Sequence, residues 1–342
     1  MNHFILFSEK EKQELLKKRK SESKFGEHIQ LISNLTNIYD DIVNLDVDYV
    51  LFGIKEDIGV YGNYGKTGTY KAWDATLKIL LNMQSNHFTT AKRVLVLGHL
   101  EYPEAQDTLL HLDNSKKKEL HKIRRFVETI DKDVTHVVSS IVKAGKTPII
   151  IGGGHNNAYG NIKGTALAKN DTINVVNFDA HSDFRAEEGR HSGNGFSYAY
   201  AEGFLKNYFI FGLHENYTSD ALLKKIKKVK SIKYNTYEAI EVRNEVDFKP
   251  EIKAALDHVS NKSFGIEIDC DAIENIPSSA KTPSGFSAKQ ARQFVHYFGK
   301  HSEATYLHIC EAAPRKKSIT NVGKLISYLI TDFIKANGNK NN

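Results

Sequence analysis

Seven short apolar runs constrain this chain more than any other feature of its 342 residues. They are Tyr49–Ile54 (YVLFGI), Arg93–Leu97 (RVLVL), Pro148–Ile151, Asn174–Phe178 (NVVNF), Tyr208–Leu213 (YFIFGL), Ser263–Ile268 (SFGIEI) and Tyr306–Ile309. Runs of this length with so little polar alternation read as strands buried on both faces. Stretches of helical pattern lie between or after them: Ala72–Met83, Lys118–Ala144 ending in Gly145, Ala158–Ala168 and Thr320–Lys335. Buried strands alternating with helices predict an α/β fold, a three-layer α/β/α arrangement with a mostly parallel central sheet. In such sheets the chemistry collects beyond the carboxyl ends of the strands.

Around this frame the sequence is plain. Ser8-Glu9-Lys10-Glu11 has the form of a capping box, predicting a helix to about Lys20 within an N-terminal helical extension spanning 1–45. A glycine-rich loop is expected over Lys55–Thr69, and a polar tail over 337–342. Neither repeats nor Pro- or Ser-rich linkers divide the chain, so one domain, 1–342, is expected. A net charge of +6 comes from lysines interleaved with glutamates, as in Lys10–Lys20 and Lys116–Lys122. That is a solvated exterior, and no nucleic-acid partner is expected. Cys270 and Cys310 are too few and too far apart for a disulfide framework. With no signal-like apolar core and no run near the ~20 residues of a membrane span, a cytoplasmic protein without a membrane partner is expected.

Three polar clusters end apolar runs. The first is Gly152-Gly153-Gly154-His155, where glycines permit a sharp turn and close approach before a histidine. The second is Asp179-Ala180-His181-Ser182-Asp183; continued in extended form, it would put two carboxylates and an imidazole on one face. The third is Glu267-Ile268-Asp269-Cys270-Asp271, with acids on one face and Ile268 and Cys270 on the other. Carboxylates gathered at buried strand ends repel each other and resist ionisation unless a cation joins them. His155, His181, Asp179, Asp183, Asp269 and Asp271 supply two imidazoles and four carboxylates, a charge that balances two divalent ions. Such an oxygen-rich donor set with some imidazole suits Mn²⁺ better than thiolate-preferring Zn²⁺. Glu267 exceeds what two ions need and is expected behind the donors, hydrogen-bonded or ion-paired. Cys270 is expected in the core.

GGGH, then DAHSD two dozen residues on, then a D-x-D strand end resembles the ureohydrolase family of arginases, agmatinases and formimidoylglutamases, from about Tyr49 to Ile330. The resemblance implies an arginase-like fold, two manganese ions per subunit, a homo-oligomer (trimer or hexamer) and an amidine or guanidine as small-molecule substrate. It implies His155, Asp179, Asp183 and Asp269 around one ion and Asp179, His181, Asp269 and Asp271 around the other, with Asp179 and Asp269 shared. It also implies hydrolysis by a metal-bridging hydroxide, with Asp183 carrying a proton to the departing nitrogen. Glu311 stands where the family orients its cationic substrate.

Cys310-Glu311-Ala312-Ala313-Pro314 and the stretch Phe52–Val60 resemble formimidoylglutamases more than arginases. A substrate with carboxylates needs cations, and Arg185, Arg190 and Arg315 flank the motifs. Ser192 and Asn194 match positions that hold the amino-acid end of the substrate in arginases. Phe196 replaces the histidine that arginases use as a proton shuttle, and His191 is a weak substitute. Asn156 and Ala272-Ile273-Glu274 also depart from the usual pattern. Formimidoylglutamase chemistry is therefore the expectation. Arginase or agmatinase activity, an inactive binding protein on the same fold, and a deacetylase on a related fold are the alternatives.

Overall fold

In the computed structural model, which describes residues 3–338, the apolar runs join one nine-stranded sheet. The strands are β1 (Phe4–Leu6), β2 (Tyr49–Lys55), β3 (Val94–Glu101), β4 (Thr147–Ile151), β5 (Ile173–Phe178), β6 (Leu205–Leu213), β7 (Ile232–Thr236), β8 (Phe264–Asp269) and β9 (Ala304–Cys310). Their order is β1-β3-β2-β4-β9-β8-β5-β6-β7, parallel except where β1 pairs antiparallel with β3.

Alternate side chains enter opposite cores, as a pleated strand requires. Leu51, Val176 and Phe178 face the helices Ala72–Leu80, Phe248–Val259, Ala288–Gly299 and Ile319–Gly338. Val50, Phe52 and Val175 face Lys117–Lys143, Ala158–Lys169 and Gly195–Ala201. This is the expected three-layer α/β/α arrangement. The helix Lys117–Lys143 shows why it forms: Leu120, Ile123, Val127, Ile130, Val134, Val137 and Ile141 recur at three- and four-residue spacing, and all are buried. Each such side chain contributes about 1.5–3 kcal/mol when fully buried. The helix stops at Gly145, whose φ of +73° lets its N–H reach Val142 O and that of Lys146 reach Ile141 O.

The chain ends depart from expectation. The Ser8–Glu11 capping box is present, but its helix covers only Glu9–Leu15, and Phe4–Leu6 is an edge strand rather than part of a helical extension. At the other end the helix runs on to Gly338, and the Asn337 side chain donates to Gly299 O at 3.1 Å. Residues 339–342 of the expected tail lie outside the described residues. The glycine-rich 55–69 stretch holds a short helix, Ile58–Gly62, and the helix from Ala72 ends at Leu80. Among the described residues, no helix is long and apolar enough to cross a membrane.

Candidate metal centre

Four neighbouring strands at the middle of the sheet, β4, β9, β8 and β5, deliver the polar clusters to one place. Past β4 the chain turns through Gly152 (φ +90°) and Gly153 (φ +70°). A Cβ on Gly153 would lie 2.3 Å from Asn157 Nδ2 and 2.8 Å from Glu56 Oε1, so the turn needs glycine. Glu56, just beyond β2, fastens this turn: its Oε1 accepts from the Gly154 N–H and the Asn157 amide, each at 2.8 Å. His155 follows, fully buried.

Past β5, Asp179 Oδ1 accepts the His181 N–H at 2.7 Å and Oδ2 accepts the Asn177 amide at 2.8 Å. Asp183 joins Asp179 and His181 through a left-handed backbone (φ +44°), not by continuing the strand pleat as expected. Past β8, the turn Cys270–Ala272 carries Asp271 round, and Asp269 Oδ1 accepts its N–H at 2.8 Å. Cys270 is buried in the core, as anticipated.

His155 Nδ1 lies 2.9 Å from Asp183 Oδ2, 3.1 Å from Asp269 Oδ2 and 3.2 Å from Asp179 Oδ2. One ring nitrogen carries at most one proton and cannot satisfy three carboxylates. His181 Nδ1 lies 3.0 Å from Asp271 Oδ2 and 3.7 Å from Asp179 Oδ1. Asp271 Oδ1 is buried without a hydrogen-bond partner.

Donor atoms of His155, Asp179, Asp183 and Asp269 lie within 4.8 Å of one another, as do those of Asp179, His181 and Asp271. Asp269 is in the first group but not the second, so only Asp179 is common to both. Burial pushes the Asp183 carboxyl up to about 6, helped by Asp179. Burial also pushes Asp269 well up, helped by Asp271 and Asp179. Acids that resist charge where they stand, a crowded ring nitrogen and an orphaned carboxylate oxygen together fit two divalent cations.

Glu311 follows β9 in a left-handed conformation (φ +59°), its Oε1 accepting the His155 N–H at 2.9 Å and its Oε2 the Ser279 hydroxyl at 3.0 Å. Burial raises it to about 8, with Asp271 and Asp183 adding to the shift and the His155 N–H opposing it. Asp183, His181, Asp269, Asp271 and Glu311 all line one cavity of about 480 Å³.

The substrate-side residues divide. Arg185 and Ser192 line the cavity and are tied to Asn63, which also lines it, at 2.7 and 3.2 Å. Arg190, Asn194 and Arg315 are not among its lining residues. Arg190 sits between the Tyr159 and Tyr198 rings at 4.8 and 4.9 Å and pairs with Asp131 at 2.8 Å, a buried structural cation. Asn194 is consumed by its own loop: it accepts from Arg190 at 2.6 Å and donates to Gly189 O at 2.9 Å. Arg315 is exposed, its backbone tied to Ser318. His191 is buried, and burial, then Arg124, Arg185 and Arg190, lower it to about 3, which suits no proton shuttle near neutrality. Phe196 packs edge-on against His155 at 5.1 Å and stacks on Tyr208 at 4.4 Å.

Glu56, Asn63 and Tyr217 were missed from the sequence. Glu56 carried a usable signal, since it stands two residues past the apolar run Tyr49–Ile54, close to a strand end as the three motifs are.

A profile described as "Arginase family" matches residues 47–334. The formimidoylglutamase of Streptococcus pyogenes serotype M3 (strain ATCC BAA-595 / MGAS315) is 24% identical over 275 residues, 78% of this chain and 77% of that protein. The crystal structure of formimidoylglutamase from Bacillus subtilis superposes with a TM-score of 0.72 at 19% identity, covering 93% of each chain. Trypanosoma cruzi formiminoglutamase solved with Mn²⁺ gives 0.70 at 19% identity, covering 92% of this chain and 98% of that one.

Proposed function

Since this chain belongs to the arginase family, we propose that it is a formimidoylglutamase: it hydrolyses N-formimidoyl-L-glutamate, breaking the bond between the amidine carbon and the glutamate nitrogen to give formamide and glutamate. The observation that carries this reading is the convergence of three carboxylates on one ring nitrogen of His155, beside a cavity lined by two of them, Asp183 and Asp269, and by Glu311. The names of the relatives and the Mn²⁺ in the Trypanosoma cruzi structure support it.

His155, Asp179, Asp183 and Asp269 would hold one manganese ion, and Asp179, His181 and Asp271 the other, with Asp269 close by. Two such ions supply a water acidic enough to serve as nucleophile near neutral pH. Glu311, fixed by the His155 N–H and the Ser279 hydroxyl, offers its remaining lone pairs to the N–H groups of a planar amidinium. Asp183, at the cavity floor, would carry a proton to the departing glutamate nitrogen. Arg185 and Ser192 on the wall would receive the carboxylate end. Two unpaired, buried cysteines suit a cytoplasmic enzyme, and a homo-oligomer of the family's kind is part of this reading.

Arginase chemistry is less well served, because Phe196 is buried against His155 and Asn194 is spent on its own loop. An inert scaffold is not favoured while all six donors converge. The test is to load the protein with Mn²⁺, count bound ions, and assay formamide from formimidoyl-glutamate beside urea from arginine and agmatine. Formamide alone is expected. Urea would transfer the chain to arginase or agmatinase chemistry, and no product from protein carrying two ions would end the assignment.

A further inference from the structure

Beneath the donors lies a second, wholly buried polar group that the hydrolysis does not use. Glu267 on β8 and His308 on β9 are register partners, and His308 Nδ1 is hydrogen-bonded to Glu267 Oε2. Glu267 Oε1 accepts the Tyr306 hydroxyl at 2.8 Å. That reach depends on Gly265, the register partner of Tyr306: a Cβ there would lie 2.1 Å from Tyr306 Cζ. Asn161 adds its amide at 3.4 Å. Glu267, His308, Tyr306 and Asn161 have no solvent exposure. A lone carboxylate at this depth is strongly unfavourable, so several residues are committed to keeping one there.

Glu267 faces His155. Nε2 of His155 is buried without a partner at ordinary hydrogen-bond range, and Glu267 Oε2 stands 3.5 Å from it. The other ring nitrogen, Nδ1, faces the three aspartates. For Nδ1 to present a lone pair to a cation, the single proton of a neutral ring must sit on Nε2. Glu267 is the carboxylate placed to accept it.

We propose that Glu267, steadied by His308 and Tyr306, is a positioning residue for His155: it takes the Nε2–H and so fixes the tautomer and ring orientation that turn Nδ1 toward Asp179, Asp183 and Asp269. The proposal rests on the two-cation reading of the same site. It assigns to this buried pair a role in the affinity and order of metal uptake rather than in contact with substrate.

The test uses the full-length protein stripped of metal and titrated with Mn²⁺, the free ion being followed by electron paramagnetic resonance. Wild type takes up two ions and develops the signal of a coupled pair. Glu267→Gln should weaken one of the two ions by about 10–100-fold and leave the other close to wild type, with the coupled signal appearing only at excess Mn²⁺. Tyr306→Phe, which keeps the ring over Gly265 and removes one hydrogen bond to Glu267, should weaken the same ion by roughly threefold.

Unchanged uptake in Glu267→Gln overturns the proposal. So does equal weakening of both ions, which is the mark of general loosening. If Glu267→Gln fails to fold by circular dichroism, Tyr306→Phe decides: a selective loss supports the proposal and an unchanged titration overturns it. A wild type that binds no Mn²⁺ would remove the two-cation reading and this proposal with it, and that result is distinct from a failure of the variants alone.

Discussion

His155 and His181 are both imidazoles set among aspartates, yet the first is fully buried while the side chain of the second is 30% exposed. Behind His155 stand Glu267 and the edge-on ring of Phe196. Beside His181 stands Tyr217, 5.6 Å away, on the wall of the cavity. The inner donors, His155, Asp179, Asp183 and Asp269, have little water to share their charge, and burial holds Asp183 and Asp269 toward their neutral forms. The outer donors share Asp179 with them, and among them the His181 side chain opens toward solvent while Asp271 stays buried. Desolvation should make the inner donors depend on a cation, while the exposed edge at His181 should let the outer one exchange. On the two-cation reading, the ion beside His155 should be held tightly and the ion beside His181 should exchange with supply.

The largest test of this contrast is a pair of truncations. His155→Ala should lower formamide release by about a thousandfold, because the ion this ring would hold is what would make a water nucleophilic near neutral pH, and millimolar Mn²⁺ should not restore it. His181→Ala should cost roughly thirtyfold at stoichiometric Mn²⁺ and recover most of that in excess, because mass action can refill an open site. Initial rates across a Mn²⁺ series read both. Identical responses of the two variants would erase the difference between the halves.

A second test needs no substrate. In the metal-free protein Glu311 is raised to about 8, by burial first, and Asp183 to about 6, also by burial first. Between the ordinary carboxylate range and those values the unfolded chain ionises while the folded one does not. The folded state then holds more protons, and its stability falls as pH rises. The melting temperature of metal-free protein should drop by a few degrees from pH 5 to pH 8, while that of Mn²⁺-loaded protein should drop by clearly less. Glu56, also raised by burial, sits at the far side of the glycine turn and contributes equally to both forms, so it cancels from the difference. Glu267 is held down to about 2, with His308 and His155 outweighing burial, so what it contributes is lost only below the ordinary glutamate range, outside this window. A parallel decline in both forms would mean that the cation does not relieve the acids.

How far the sequence discloses this molecule follows from the same contrast between buried and open. Central strands announce themselves because both faces are apolar, and Tyr49–Ile54 and Asn174–Phe178 were placed to within a residue of β2 and β5. The edge strands β1 and β7 escaped, for β1 has only three residues, none of them buried, and β7 alternates as IKYNT. Neither resembles the continuous run of a covered strand. The donors were legible because ligand-type residues at the end of an apolar run need a reason to be there. The arginines were not. Arg185, Arg190 and Arg315 look alike as sequence, and only packing shows that Arg190 is sandwiched between tyrosines, that Arg315 is exposed and does not line the cavity, and that Arg185 does. Nor does spacing in the chain reveal that Glu267 and His308 stand opposite each other on neighbouring strands.

The smallest expected effect belongs to the open side, at Arg185. Its side chain is 48% exposed, hydrogen-bonded to Asn63 at 2.7 Å and 3.7 Å from Glu188. A charge so wet is screened, and an exposed ion pair contributes about 1 kcal/mol or less. Arg185→Ala should thus raise KM for formimidoyl-glutamate by roughly fivefold and leave kcat within about twofold, the pattern of a group that binds ground state and transition state alike. The penalty should shrink as salt is added, because ions compete for the same charge. A fall in kcat at constant KM would instead place Arg185 in contact with charge that develops during the reaction. The cavity wall would then share the electrostatic work that the comparison assigns to its floor.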